Sequence, residues 1–318
     1  MNKINNNFKS KINSTFINKK AFSLIELSIV ILIIGILVAG VTSSSRLLKQ
    51  MKLTSARSMT LSSPVSSITQ LVAWFETTLD SSFDSSLSNN DKVALWKDIN
   101  PQSSYKYQFV STDPTYQPVY SDSGVNGLTS LVFNTSHMFL YNFQIGANYT
   151  FFYVFNASSI HPNGSTMIQI LDTSYSNGSI AYEIQPSAGA SLGFNRRMRA
   201  LHRTLGGGAE NDNYANSSGI VNDGKDYVFA YNRNFRTNKT NFYANGVDVT
   251  ETNSSYTSAS VPALNSANFT IFMGNLAPNN FGRPFIGKLS ELIIYDKALN
   301  SEELTSVNNY LLKKYNIK

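Results

Sequence analysis

The 318-residue sequence contains no cysteine, and only 14% of its residues are charged. Without cysteine the chain forms no disulfide, and thiolate catalysis and Cys-based zinc sites are excluded. A chain of this length, about two domains on the length prior, is still able to bury a core without disulfides. The place of the missing charged residues is taken by Asn, Ser, Thr and Tyr. This composition favours a β-rich protein over a helical enzyme.

The net charge of +6 lies at the N-terminus. Residues 1–21 contain five lysines and no acid, and residues 22–64 contain four basic residues and one acid. This leaves 17 basic and 19 acidic residues in the remainder of the chain. A nucleic-acid-binding domain carries its basic residues on the folded body, so we expect no nucleic-acid partner.

The apolar run AFSLIELSIVILIIGILVAGV is about the length that crosses a bilayer. It exceeds the roughly 7–15 apolar residues of a secretory signal peptide, although Ala39-Gly40 would suit signal cleavage. An uncleaved anchor with its basic leader in the cytoplasm is a second alternative. Neither explains Glu26, because an ionised carboxylate at bilayer depth costs on the order of a few kcal/mol and needs a partner.

The stretch KKAFSLIEL resembles the prepilin processing signature of type IV pilins and type II secretion pseudopilins. The resemblance implies that a prepilin peptidase cuts between Ala21 and Phe22 and methylates the new amino group. It also implies that Glu26, the fifth mature residue, pairs with the N-terminal amine of a neighbouring subunit during assembly. Ala21 departs from the family, which usually has Gly there, so we expect slower processing.

From Phe22 to Ser62 only Gly35 and Gly40 interrupt a helical composition, and Pro64 predicts the end of the helix. Gly35 and Ala39 form a small-xxx-small pair that allows neighbouring helices to approach closely. Chance in an apolar run explains that pair equally well.

Beyond residue 69, short runs rich in Val, Ile, Phe and Tyr alternate with Asn, Ser, Gly and Pro, a pattern that predicts an all-β sandwich. Asn245-Gly246 predicts a type I′ hairpin. Asn300 and Glu303 predict a capping box for a final helix that packs on the sandwich edge. The predicted strands are LVAWF, KVALW, YQFV, LTSLVF, YTFFYVF, STMIQIL, IAYEI, KDYVFAY, NFYA, VDVT, FTIFMG and KLSELIIY.

The body resembles the concanavalin A-like (laminin G-like) jelly-roll domains of bacterial surface proteins. The resemblance rests on Trp74 and Trp96 around a polar loop, on Asn126-Gly127, on NFYANGVDVT and on the ending GKLSELIIYDKALNSEELTSVNNYLLKKYNI. We therefore predict a mainly β protein, an antiparallel jelly-roll sandwich preceded by one long helix. The predicted segments are a cleaved leader (1–21), a transmembrane and assembly helix (22–63), a linker (64–69) and the sandwich with its C-terminal helix (70–318).

No catalytic residues are predicted. Glycan hydrolases of this fold need two carboxylates across a cleft, and their Glu-x-Asp-x-x-Glu strand is absent from the sequence. Glu183 and Glu291 stand alone on predicted strands, and we interpret Glu291 as an outward-facing polar residue. No metal or cofactor is predicted, although Asp80, Asp84 and Asp91 leave calcium open as an alternative to a solvated loop.

Three other groups of residues are interpreted as structural or solvated. Gly206-Gly207-Gly208 lacks the Lys-Ser/Thr of a phosphate loop, and the histidines show no metal-like spacing. A cluster of arginines is able to contact an anionic glycan, but a solvated face is the simpler interpretation. These residues are His137, His161 and His202, and Arg196, Arg197, Arg199 and Arg203.

The two resemblances together predict a non-enzymatic pilin-like subunit, minor or at the tip of a filament, that displays a lectin-like head for adhesion. It would lie in the bacterial inner membrane with its N-terminus in the cytoplasm and then enter a filament at the cell surface. Its expected partners are prepilin peptidase, other pilin subunits and a glycan or surface protein. A type II secretion pseudopilin is the alternative, and a membrane-tethered glycan hydrolase is a weaker one.

Overall fold

The computed structural model describes residues 23–160, 165–172, 180–184, 198–202, 213–216, 224–250, 268–275 and 283–318. The chain divides into two compact units, residues 1–50 and 51–318. Ala21 and Phe22, on either side of the predicted cleavage point, lie outside the described residues.

The first helix, α1, spans Leu24–Leu61. Among the described residues it is the one helix long and apolar enough to cross a membrane, by length and composition, and its most apolar stretch has a mean hydropathy of 2.9. The side chains of residues 24–41 are exposed. Within the second unit the last turns of α1 are packed, because Ala56 and Thr60 are buried.

The segment after α1 contains one short 3-10 helix, Pro64–Ser67. Val65 and Ile68 are buried in the same apolar cluster as Ala56. The residues predicted as a linker, 64–69, therefore pack on the body of the second unit.

In the described part of the second unit, sixteen strands form two antiparallel sheets. One sheet has the order β14-β13-β12-β7-β16-β5-β4, with β1 also paired to β16, and the other has the order β11-β10-β9-β8-β15-β6-β3-β2. The strands are β1 (Leu71–Glu76), β2 (Leu95–Lys97), β3 (Gln108–Val110), β4 (Val119–Ser121), β5 (Ser130–Phe133), β6 (Met138–Phe143), β7 (Tyr149–Ile160), β8 (Ser165–Asp172), β9 (Ile180–Ile184), β10 (Met198–His202), β11 (Asn213–Asn216), β12 (Asp226–Asn234), β13 (Lys239–Ala244), β14 (Val247–Asp248), β15 (Phe269–Met273) and β16 (Phe285–Tyr295).

The main core lies between the two sheets and is rich in aromatic side chains. Successive strand residues point to opposite faces, so Phe151, Tyr153 and Phe155 of β7 enter this core. Phe152 and Val154 of the same strand belong to a second cluster on the outer face of the sheet. The prediction of a β-sandwich preceded by one long helix is confirmed.

The final helix, α2, spans Ser301–Tyr315 and has the predicted capping box. The Asn300 side chain accepts a hydrogen bond from the Glu303 backbone N–H at 2.9 Å, and the Asn300 N–H donates to the Glu303 carboxylate at 3.1 Å. The predicted turn at Asn245 and Gly246 also forms, with φ of 49° and 81° between β13 and β14.

The predicted position of α2 on the sandwich edge is wrong. Leu304 and Leu311 pack instead in the second cluster, on the outer face of the sheet formed by β7, β12 and β16. Phe152, Val228 and Ile293 supply apolar side chains on that face. Because these strands are apolar on both faces, the sheet needs a cover on its outer side, and α2 provides it.

Candidate functional sites

Glu26 lies in the first turn of α1 and acts there as a helix-capping residue. The backbone N–H of Ser23 donates to Glu26 Oε2 at 2.9 Å, and the backbone N–H of Ile25 donates to Ser23 Oγ at 3.3 Å. The Ser23 hydroxyl thus caps the N–H of Ile25, and the Glu26 side chain bonds back to the Ser23 backbone as the acidic residue of a capping box does. The carboxylate also lies at the positive end of the helix dipole, so it stabilises the start of the helix within the single chain.

The surface around Glu26 is almost entirely apolar. Leu24, Ile25 and Leu27 are 84%, 68% and 54% exposed, and the same pattern continues along the helix to residue 41. A continuous apolar surface of this size is characteristic of contact with lipid or protein. At Gly35 an added Cβ would meet no atom within 4 Å.

In the second unit, a charged cluster lies beneath α2. Lys314 Nζ contacts Glu76 Oε2 at 3.0 Å and Glu291 Oε2 at 2.8 Å, and all three side chains are at most 1% exposed. Trp74 Nε1 and the Tyr310 hydroxyl donate to Glu291 Oε1, at 2.8 and 2.9 Å. Glu291 faces outward from the sandwich, as interpreted from the sequence, but it is buried there because α2 covers the outer face on which it lies.

The charges in this cluster are mutually stabilised. Burial raises the pKa of Glu76, but the Lys314 ammonium and hydrogen bonds from Thr78 and Leu79 outweigh burial and leave the pKa below its usual range. Burial likewise lowers the pKa of Lys314, but Glu291 and Glu76 reverse the effect and raise it. Glu76 and Lys314 are therefore held in their ionised forms by their neighbours.

The two carboxylates resemble a glycosidase pair in residue type but not in surroundings. Glu76 and Glu291 are direct partners on the neighbouring strands β1 and β16. Both are buried, and a cation lies between them. A catalytic acid must reach the scissile bond of its substrate, which these sealed side chains do not.

The three aspartates of the polar loop after β1 have separate partners. Asp80 pairs with Arg57 at 2.5 Å, and Asp84 pairs with Lys97. Asp91 accepts a hydrogen bond from the Ser88 backbone N–H at 2.7 Å. Within the described ranges no group of three His, Cys, Asp or Glu residues is arranged to hold a metal ion.

The remaining candidate residues contribute little to a site. His137 is buried and its ring stacks on Tyr116, with centroids 4.7 Å apart. Burial lowers the His137 pKa and Asp113 partly opposes this. Glu183 lies on β9 and Arg199 on β10. Arg196, Arg197, Arg203, His161 and Gly206–Gly208 lie outside the described residues.

A groove with a volume of about 780 Å³ lies at one end of the sandwich. It lies where β1 begins and β16 ends in one sheet, and where β6 ends and β15 begins in the other. Its wall includes Leu71, Val72, Tyr105, Tyr107, Gln144 and Asp296. The volume is within the range of roughly 300–1,000 Å³ that is typical of small-ligand sites.

Two β-bulges shape this groove. Leu71 and Val72 of β1 together oppose Tyr295, and Tyr141 and Asn142 of β6 together oppose one residue of β15. A bulge changes the direction of a side chain and is frequent beside functional sites. Asn142 has φ of 56° and also lines the groove.

Sequence reasoning missed this groove. Tyr105 and Tyr107 show only as an alternating pair in SSYKYQ, and Asp296 follows the last strand in an ordinary polar turn. These residues come from segments nearly 200 positions apart. The only signal in the sequence was a pair of tyrosines in a polar loop. Such pairs occur too often in proteins to identify a binding site.

Comparison with known proteins agrees with this architecture. Residues 142–305, just over half of the chain, match the model of the concanavalin A-like lectin/glucanases superfamily. Residues 17–42 match the prokaryotic N-terminal methylation motif. A search of curated proteins gives no match.

Two solved structures are similar to this chain at low sequence identity. The binding domain of Paraclostridial mosquitocidal protein 1 is 12% identical, with a TM-score of 0.50, over 76% of this chain and 52% of that one. Domain 4 of an arabinanase from Geobacillus stearothermophilus, in complex with arabinotriose, is 17% identical over 60% and 81% of the two chains, with a TM-score of 0.41. The chain thus spans about half the length of the mosquitocidal binding domain, and the likeness shows the fold alone.

The fold and the N-terminal segment define a pilin-like protein, in which a prepilin-type methylation motif is fused to a lectin-like β-sandwich. The chain belongs to the concanavalin A-like lectin/glucanases superfamily. The motif implies processing by prepilin peptidase and assembly with other pilins. The apolar helix is consistent with a membrane-anchored stage before assembly.

Proposed function

We propose that this chain is a minor or tip subunit of a type IV pilus or a related filament, and that its β-sandwich is a head for adhesion. One observation carries the proposal: a single carboxylate, Glu26, interrupts a long exposed apolar helix within the methylation motif. The large head favours a minor or tip position, because a bulk subunit must pack on every side.

The role of Glu26 in assembly follows from electrostatics. Peptidase cleavage before Phe22 would create a new amino group at the start of the helix. In the apolar interior of a filament, that cation and the Glu26 carboxylate of a neighbouring copy each reduce the cost of burying the other. Within one chain Glu26 accepts a hydrogen bond only from Ser23 among the described residues, so its second oxygen is available to another copy.

The proposed route begins in the bacterial inner membrane, with residues 1–21 in the cytoplasm. Prepilin peptidase removes this leader, and the helix then moves from lipid into the filament. The apolar side chains of residues 24–41 suit both surroundings. The head would then contact a glycan or a surface protein outside the membrane.

We also propose that the head is not an enzyme. Glu76 and Glu291, paired across β1 and β16, are sealed beneath α2, and both are bound by Lys314. The described wall of the groove contains one carboxylate, Asp296, whereas glycoside hydrolysis uses a pair. A binding role requires neither a second acid nor an activated water.

The filament assignment is tested by replacing Glu26 with Ala in the full chain and measuring its incorporation into sheared filaments. We expect membrane insertion to be unchanged and incorporation to fall severalfold, because the amine of the neighbouring copy loses its partner. Glu26→Gln separates the two roles of this residue, since Gln can still accept a hydrogen bond at the helix start but carries no charge.

Ser28→Ala is the matched control, because Ser28 is exposed on the same helix and donates only to the Ile25 carbonyl, at 2.8 Å. It should assemble as the wild type does. Equal incorporation of Glu26→Ala and wild type would overturn the filament role. Recovery of the wild-type chain only from the periplasm, with none in the sheared surface fraction, would indicate a secretion pseudopilus instead.

A further inference from the structure

The groove at the end of the sandwich has a rigid aromatic platform. Tyr105 is 58% exposed, and its ring lies against Tyr107 with centroids 5.0 Å apart and an interplanar angle of 79°. Tyr107 packs in turn on the buried Phe143 at 5.2 Å, and its hydroxyl accepts from the Gln144 N–H at 3.3 Å. The Tyr105 ring is thus held by contacts that reach the core. Because the side chain is already restricted, it loses less conformational entropy when a ligand packs on it.

A carboxylate in the wall of the groove is also fixed in place. Asp296 Oδ1 accepts a hydrogen bond from the Gly146 N–H at 2.6 Å, and the Asp296 N–H donates to the Gln70 carbonyl at 2.9 Å. A Cβ at position 146 would lie 2.8 Å from Oδ1, so the close approach depends on glycine. Asp296 Oδ2 accepts no hydrogen bond from any residue that the structure describes, which leaves an acceptor for a ligand.

The charge of the groove limits what it binds. Its described wall contains no lysine or arginine. Lys106, between the two tyrosines in sequence, donates instead to the Asn100 carbonyl. An anionic ligand would therefore meet Asp296 without a compensating cation. An uncharged ligand, or one that carries an amino group, meets no such repulsion.

A saccharide has both an apolar face and polar hydroxyl groups, and this groove offers contacts to both. One face of a sugar ring is rich in C–H groups and packs on an aromatic ring, while its hydroxyls need hydrogen-bond partners. Tyr105 offers the aromatic ring, and Asn142, Gln144 and Asp296 offer polar groups around it. A few fixed polar groups around an apolar surface are the usual composition of a specific small-ligand site.

We propose that this groove binds a neutral or amino-bearing saccharide, which stacks on Tyr105 and is hydrogen-bonded by Asp296 Oδ2. The proposal deepens the proposed adhesive function and rests on it for its biological role, although the site itself is argued only from the groove. It assigns the ligand contacts to the end of the sandwich and predicts that acidic sugars are rejected.

The test measures binding by calorimetry with the full chain in detergent micelles. The probes are neutral gluco- and galacto-trisaccharides, glucosamine oligomers and sialyllactose. We expect a neutral or glucosamine probe to bind and sialyllactose not to bind. Tyr105→Ala should weaken binding about tenfold or more, given the usual size of an aromatic stacking contribution.

Asp296→Asn is the second variant. Because it removes the negative charge and keeps an oxygen acceptor, it should weaken glucosamine binding more than neutral-sugar binding. Phe235→Ala is the matched control, since Phe235 is an aromatic residue 39% exposed between β12 and β13 and is not part of the groove wall. Unchanged thermal unfolding of each variant shows that the head is intact.

Three results would overturn the proposal: no binding of any probe, tighter binding of sialyllactose than of neutral sugars, or a loss caused by Phe235→Ala and by neither groove variant. Glu26→Ala should bind sugar as the wild type does, because no groove residue lies in the first unit. A failure of sugar binding is therefore distinct from a failure of filament assembly.

Discussion

Lys314 is the residue on which the buried charges of the second unit depend. It contacts both Glu76 and Glu291, and the hydroxyl of Tyr315 adds a hydrogen bond to Glu291 at 3.0 Å. Two buried carboxylates without a cation would repel each other in surroundings of low dielectric constant. The lysine therefore connects α2 to both β1 and β16.

We expect Lys314→Met to lower the free energy of unfolding by about 3–5 kcal/mol, the usual cost of removing one partner of a buried ion pair. Urea denaturation of the full chain in detergent measures this change. Lys313→Met is the matched control, since Lys313 is exposed in the same turn of α2, and it should change the free energy by less than about 0.5 kcal/mol.

The triple variant Glu76→Gln, Glu291→Gln, Lys314→Met tests the mechanism. Because it removes every charge together, it should be more stable than the single Lys314 variant. A single variant as stable as wild type, or a triple variant less stable than the single one, would contradict this account of the cluster.

The role of a residue was predictable when its partner lies close in sequence. It was not predictable when the partner lies far along the chain. Asn300 and Glu303 lie three positions apart and form the capping box that their types predict. Glu291 lies between Ser290 and Leu292 in sequence. Its charged partner, Lys314, comes 23 residues later and also contacts Glu76 on another strand. No pattern within one strand reveals such a partner.

At the scale of elements, the apolar alternation of the strands was the most reliable signal. All twelve predicted runs contain observed strands. The runs that were missed are β4, β6, β10 and β11, which are short, polar or interrupted by a bulge. The position of α2 was predicted wrongly because helical periodicity shows which side of the helix is buried but not the surface that it covers.

The helix α1 allows a test of close packing between copies. An added Cβ at Gly35 or Gly40 meets nothing within 4 Å in the single chain, so neither glycine is needed for the fold of one subunit. The two positions lie about 140° apart around the helix. If Gly35 and Ala39 form the contact with a neighbouring copy, Gly35→Leu should reduce filament incorporation severalfold.

Gly40→Leu is the matched control, because it adds the same volume on a different side of the helix. Membrane insertion of both variants should equal that of wild type. Equal incorporation of Gly35→Leu and Gly40→Leu would mean that the small-xxx-small pair is a consequence of composition and has no part in assembly.

At the scale of the whole molecule, charge separates the leader from the rest of the chain. The full chain has 26 basic and 20 acidic residues, and five of the lysines lie in residues 1–21. Cleavage before Phe22 would leave 21 basic and 20 acidic residues and reduce the net charge from +6 to +1. The isoelectric point should then fall from about 9.2 toward neutrality.

Processing at this position is tested by intact mass and N-terminal sequencing of the chain purified from a bacterium with prepilin peptidase. We expect the mature chain to begin with a methylated Phe22. We also expect Ala21→Gly to be processed faster, since the peptidase family usually meets Gly before the cut. Ala39→Gly, a change of the same kind within the apolar run, should leave the rate unchanged. A mature chain that begins near Gly40 would instead show an ordinary secretory signal, and Glu26 would then leave with the cleaved segment and have no place in a filament.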